Sequence, residues 1–173
     1  MEARLCHRYG PGRLPYASRR DLGGGIAMAA TGLLATVLWY GGTGLLIATG
    51  TGSDTAGFFF GVGLFFLPLS ILSAFLIGTL LWRQLAPTEH DPRYGALFGG
   101  ITALGSLVGG SFGPATAIAV SGILDGQLAL LEALTLGAVL VPIGVLLAII
   151  AAGWLVVPLG MFGGWYHERA NAT

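Results

Sequence analysis

The chain has 173 residues, of which 54% are hydrophobic and only 9% are charged, and its formal net charge is zero. These values exclude a disordered chain and argue against a soluble domain, and the lack of a basic surplus argues against nucleic acid as a partner. We therefore predict an integral membrane protein.

Four uncharged windows define the predicted elements. Each is longer than the roughly 20 residues that carry a helix across the hydrocarbon, and none alternates like the strands of a membrane barrel. The windows are Leu22 to Ser53, Thr55 to Trp82, Tyr94 to Leu124 and Ala133 to Tyr166. The predicted fold class is an all-α integral membrane protein, a four-helix bundle over residues 22–166. Its spans are predicted at about 22–48, 57–82, 94–122 and 134–157 or longer.

The segment before the first window, residues 1–21, contains five arginines and two prolines but no helical period. We predict a basic, disordered head that is attracted to anionic lipid headgroups. The apolar segment behind it is about twice as long as a signal-peptide core and has no small-residue cleavage site after it. An uncleaved first helix is therefore expected.

The placement of arginine predicts the orientation. All eight arginines fall in the head, in the link between the second and third spans, or in the tail 167–173. An even number of spans puts these segments on one side, and basic residues in short loops stay cytoplasmic. Both termini are therefore predicted to be cytoplasmic, with an aromatic belt on that side formed by Trp82, Tyr94, Trp165 and Tyr166. Eight arginines without a lysine, together with abundant glycine and alanine, indicate a prokaryotic cell membrane.

The third span carries small residues at every fourth position. Helices in lipid associate through close van der Waals approach, which small residues permit, and this spacing favours a right-handed crossing near −40°. We predict that this row is a helix-packing face, as in a glycine zipper. The row consists of Gly105, Gly109, Gly113, Ala117 and Ser121.

The same span contains a proline among glycines, in "GGSFGP". Pro114 removes a helical hydrogen bond, and the glycines make unwinding cheap. Two interpretations stay open. The helix is either kinked and packed by its neighbours, or broken beside a pathway with Gly110, Ser111 and Pro114 along it and Glu132 at its outer mouth.

Glu132 itself stands among apolar residues just before the fourth span. We predict that it lies at the outer headgroups, near a helix N-terminus, where the helix dipole stabilises an acid. The alternative is a proton or cation relay inside the bilayer, where an acid costs about 2.5 to 3.5 kcal/mol.

The side-chain inventory gives no basis for catalysis. Residues 109–113 match the G-x-S-x-G string, but that motif needs a strand-to-helix turn with a histidine and an acid nearby. Cys6, His7, His90 and His167 lack the spacing of a metal motif, and a single cysteine excludes an intramolecular disulfide. We therefore predict no catalytic, cofactor-binding or metal site, and no enzyme.

An internal repeat is predicted from paired motifs about 75 residues apart. "GGI" at 24–26 recurs at 99–101, and Gly63 and Pro68 recur as Gly137 and Pro142. The same alignment brings Trp82 close to Trp154. Such a repeat indicates two tandem two-helix hairpins.

The second half of the chain contains two glycine-rich stretches, "GALFGGITALGSLVGGSFGPATA" and "PLGMFGGWYHER". In these stretches it resembles small glycine-rich four-helix membrane proteins of unknown function that are common in haloarchaea. The resemblance implies the four-helix fold and brings no functional residues with it. The predicted function is a non-enzymatic accessory or structural bundle that packs with itself or with partner membrane proteins. The alternative is a small-solute or ion permease or channel subunit, acting as an oligomer, with a third helix broken at Gly109 to Pro114.

Overall fold

Four long helical spans make up the fold. The computed structural model describes residues 19–52, 54–85 and 91–172, so the predicted disordered head lies outside the described residues except at its end. All four spans are long and apolar enough to cross a membrane, and this confirms the all-α, four-helix fold class. The helices are α1 (Arg20–Ala48), α2 (Asp54–Gln84), α3 (Pro92–Leu124), α4 (Leu130–Ala148) and α5 (Trp154–Asn171), with a π-helical segment at Ile149–Gly153.

Local signals set the turns between the spans. At the start of helix α3, the side chain of Asp91 accepts a hydrogen bond of 2.8 Å from the backbone N–H of Arg93. Pro92 lies in the first turn, where a backbone N–H would have no partner within the helix, so the missing N–H of proline costs nothing. The two hairpin turns contain Gly50 and Gly126, each with a φ of 68°. That conformation favours glycine because a Cβ would be strained there.

The two ends of the bundle are packed differently. At the terminal end, where α1 begins and α5 finishes, α1, α2, α3 and α5 close into a four-helix ring with each helix against its two neighbours. Towards the hairpin end, which carries Gly50 and Gly126, α4 packs mainly against α3. The terminal half is therefore a closed bundle, whereas the hairpin half is open on one side of α4.

Glycines bring the helices of the closed half into backbone contact. Gly95 and Gly99 of α3 lie against the backbone of Gly164 and Gly160 of α5, so that a Cβ on any of the four would overlap atoms of the other helix. Between α1 and α2, a Cβ at Gly78 would lie 3.1 Å from the Cα of Gly25. The closed half is thus held by van der Waals contact at minimal interhelical distance.

The fourth span, predicted at 134–157 or longer, extends beyond residue 157. It forms one helical run of 42 residues, from Leu130 to Asn171, and Pro158 does not end it. The tail expected at residues 167–173 is therefore a continuation of α5 as far as Asn171. At 1.5 Å per residue this run measures roughly 63 Å, about twice the thickness of the hydrocarbon. The sequence left the end of this span open because no acid or base lies between Glu132 and His167.

The predicted repeat gives Trp82 and Trp154 nearly equivalent positions in its two halves, but these tryptophans lie in different environments. Trp82 is 3% exposed and packs inside the bundle, whereas Trp154 is 70% exposed. These two positions are therefore not structurally equivalent, and the internal repeat stays a prediction.

Candidate functional site

Most of the predicted small-residue row lies along α2. A Cβ at Gly105 would lie 2.6 Å from Cδ1 of Ile77, and one at Gly109 or Gly113 would overlap Ser73 or the carbonyl group of Phe65. The last two members differ from the first three. Ala117 is half-buried, and Ser121 is exposed, with its hydroxyl donating to the carbonyl of Ile118.

The residues predicted to flank a pathway are not brought together. Gly110 packs under the ring of Phe66, and the buried hydroxyl of Ser111 donates to the carbonyl of Leu107 at 2.8 Å. Glu132 lies on the neighbouring span, exposed in the first turn of α4, and its carboxylate accepts from the backbone N–H of Ala129 at 2.9 Å. Glu132 is thus a helix cap at the hairpin end.

Helix α3 runs unbroken from Pro92 to Leu124, through the half-buried Pro114. The alternative of a third helix broken at Gly109 to Pro114 is therefore wrong. Packing against α2 on the glycine side keeps the backbone helical, since neighbouring helices hold the turn that the proline weakens.

A polar cluster that the sequence did not reveal lies at the terminal end, formed by Arg20, Trp82, His167 and Glu168; we call it the terminal cluster. Nε and Nη2 of Arg20 donate to the two carboxylate oxygens of Glu168, at 3.3 and 2.9 Å. The indole N–H of Trp82 donates to Oε1 of the same carboxylate at 2.6 Å. One acid on α5 thereby joins the first residue of α1 to the end of α2.

Trp82 forms the centre of this cluster. Its ring makes edge contacts with Phe98, at 5.4 Å between centroids, and with His167, at 5.6 Å. A Cβ at Gly24 would lie 2.5 Å from the indole, so α1 needs a glycine where the ring packs. Trp82 therefore does not take part in the predicted aromatic belt, because its polar edge faces a buried acid and not the headgroups.

The burial of Glu168 makes the terminal cluster energetically costly to disturb. The residue is 1% exposed, while the Arg20 side chain remains 25% exposed. A charged group removed from water needs both an opposite charge and hydrogen bonds, and Glu168 has both. The arrangement holds three helices together, and its carboxylate is engaged by donors and is not presented to a substrate.

A second feature of interest is a crevice between α3 and α4 in the open half, which we call the hairpin-end crevice. Its volume is about 560 Å³, and its walls are almost wholly apolar. Ala115 and Ala119 on α3 and Gly137 on α4 are among the lining residues, and their small side chains leave the space unfilled. Leu134, on the same wall, is 63% exposed.

Metal ligands do not gather within the described parts of the chain, where no group of three His, Cys, Asp or Glu could hold an ion. Cys6, His7 and His90 lie outside the described residues. His167, the remaining member of that set, packs its ring against Trp82 in the terminal cluster.

Comparison with known proteins gives no relative: no protein-family model, no curated protein and no solved structure matches this chain. Its class therefore follows from its own helices. It is an all-α, multi-pass membrane protein with four spans. Its terminal half is closed, and its hairpin half is open beside α4.

Proposed function

We propose that this protein is a non-enzymatic accessory subunit of a prokaryotic cytoplasmic membrane, whose hairpin-end crevice receives a transmembrane helix of another subunit. The observation that carries the proposal is the open side of α4. This helix packs mainly against α3 and leaves an apolar crevice of about 560 Å³ between the third and fourth spans. The other subunit is a second copy of this chain or a different membrane protein.

The shape of the crevice supports a helix as its occupant. Small residues on both walls, including Ala115, Ala119 and Gly137, permit close backbone approach of the kind that drives helix association in lipid. The closed half already uses this mode of packing at Gly99 and Gly160. A permease path would require polar groups to converge, and the predicted pathway residues do not converge.

Photocrosslinking tests this proposal. With Leu134 replaced by p-benzoylphenylalanine, irradiation of membranes is expected to give a protein adduct of one discrete mass, because this wall of the crevice would touch the partner helix. The mass of the adduct distinguishes a second copy from a different subunit. The matched control is the same replacement at Leu72 of α2, which is 52% exposed and does not line the crevice. Equal protein adducts at both positions, or lipid adducts alone at position 134, would refute the proposal.

The proposed orientation places the terminal end in the cytoplasm. Arg19, Arg20, Arg83, Arg93 and Arg169 all lie near this end of the bundle, as the helix order requires. The hairpin end carries acids and no arginine among the described residues. Basic residues in short loops stay cytoplasmic, and there they would attract anionic lipid headgroups.

Cysteine labelling tests the orientation. Cys6 is the only cysteine, so an impermeant maleimide is expected to label inside-out vesicles and to leave intact cells unlabelled. In a Cys6→Ser background, Gln127→Cys places a thiol in the exposed hairpin turn, and the pattern should invert. Labelling of Cys6 in intact cells would mean that the arginines lie outside.

A further inference from the structure

A small cavity lies inside the closed half of the bundle, among all four spans. The volume of the cavity is about 20 Å³. Its walls come from Met28 and Thr31 on α1, Ala74 on α2, Thr102 and Ser106 on α3 and Gly160 on α5, among others. One water molecule needs about 10–15 Å³ of cavity volume, so this cavity has room for one water molecule and not for a larger solute.

Thr102 supplies the observation that points to a ligand. The residue is 1% exposed, and its hydroxyl oxygen is buried with no hydrogen-bond partner among the described residues. A buried hydroxyl without a partner costs about 1–3 kcal/mol. Native structures avoid that cost by binding ordered water at polar cavities of this size.

The other hydroxyls on the wall fit the same ligand. Thr31 donates to the carbonyl of Ala27 at 2.8 Å, and Ser106 donates to the carbonyl of Ala103 at 2.7 Å. Both hydroxyls have therefore used their single proton and offer lone pairs, whereas Thr102 still has a proton to donate. A ligand that accepts one hydrogen bond and donates two would satisfy all three.

We propose that this cavity binds a single ordered water molecule, which accepts from the Thr102 hydroxyl and donates to those of Thr31 and Ser106. The water links α1 to α3, which otherwise have little direct contact with each other. A monovalent cation fits less well, because no carboxylate lines the cavity and an uncompensated charge there is costly.

Water-to-protein magnetisation transfer by NMR in nanodiscs tests the site. We expect a cross-peak between a long-lived water and the methyl group of Met28, which lines the cavity, and its loss in Thr102→Val, which keeps the shape and removes the hydroxyl. Thr135→Val, exposed on α4 and outside the lining of both cavities, is the matched control and should leave the cross-peak unchanged. Ser106→Ala, which removes one acceptor, should weaken it and serves if Thr102→Val does not fold.

The proposal is overturned if folded wild-type protein gives no such cross-peak, or if the cross-peak persists unchanged in Thr102→Val. It is also overturned if sodium, compared with choline at equal ionic strength, abolishes the cross-peak, because the occupant would then be a cation. None of these results depends on a partner at the hairpin-end crevice.

Discussion

Gly99→Ala is expected to destabilise the bundle by about 2–3 kcal/mol, although alanine is the better helix former. The new Cβ would overlap the carbonyl group of Gly160, and both groups belong to rigid backbone. Relief of that overlap requires α3 and α5 to move apart along the whole Gly95 to Gly164 crossing. Reversible unfolding in mixed micelles, followed by tryptophan fluorescence, measures the loss.

Gly61→Ala is the matched control. Gly61 lies inside helix α2, and a Cβ there would meet nothing within 4 Å. Any gain in helix propensity is then unopposed, and we expect unchanged or slightly higher stability. Similar losses for both substitutions would mean that the α3–α5 crossing is not tight.

Arg20→Met is expected to destabilise the protein by about 2–3 kcal/mol, somewhat less than a fully buried pair, because the arginine side chain is a quarter exposed. It removes the cation from a carboxylate that stays buried. Glu168→Gln should cost less, since Arg20 can turn towards water and glutamine still accepts a hydrogen bond from the indole of Trp82. Unfolding of both single variants and the double variant measures the coupling between the two residues.

Arg83→Met is the control for loss of a positive charge near the same end, because Arg83 lies exposed at the end of α2. It should change stability by no more than about 0.5 kcal/mol. If Arg83→Met and Arg20→Met cost the same, or if the effects of Arg20→Met and Glu168→Gln simply add, the terminal cluster does not act as an ion pair.

The number of spans and their approximate positions could be predicted from the sequence, because the length of an apolar window and the thickness of the hydrocarbon determine them. The first three spans were placed within three residues of α1, α2 and α3 at either end. The fourth was predicted only as 134–157 or longer, since no charge interrupts its final turns before His167. Helix ends that lie beyond the hydrocarbon are set by tertiary contacts, here those of Glu168.

Individual glycines could not be assigned from spacing alone. The row from Gly105 to Ser121 was visible, yet the tighter crossing of Gly99 with Gly160 depends on which helices are neighbours. The terminal cluster was hidden for the same reason, because Arg20 and Glu168 are 148 residues apart. A lone acid between aromatic residues and an arginine, in "WYHER", was the one available signal for it.

The separation of Arg20 and Glu168 along the chain also bears on biogenesis. At about 5–20 residues per second, the 148 residues that follow Arg20, up to and including Glu168, take roughly 7–30 s to synthesise, so α1 and α2 are complete well before Glu168 exists. During this time the indole N–H of Trp82 has no carboxylate to which it can donate a hydrogen bond, and α5 is still missing from the closed half. The closed half can therefore form only after the final turn of α5 has left the ribosome.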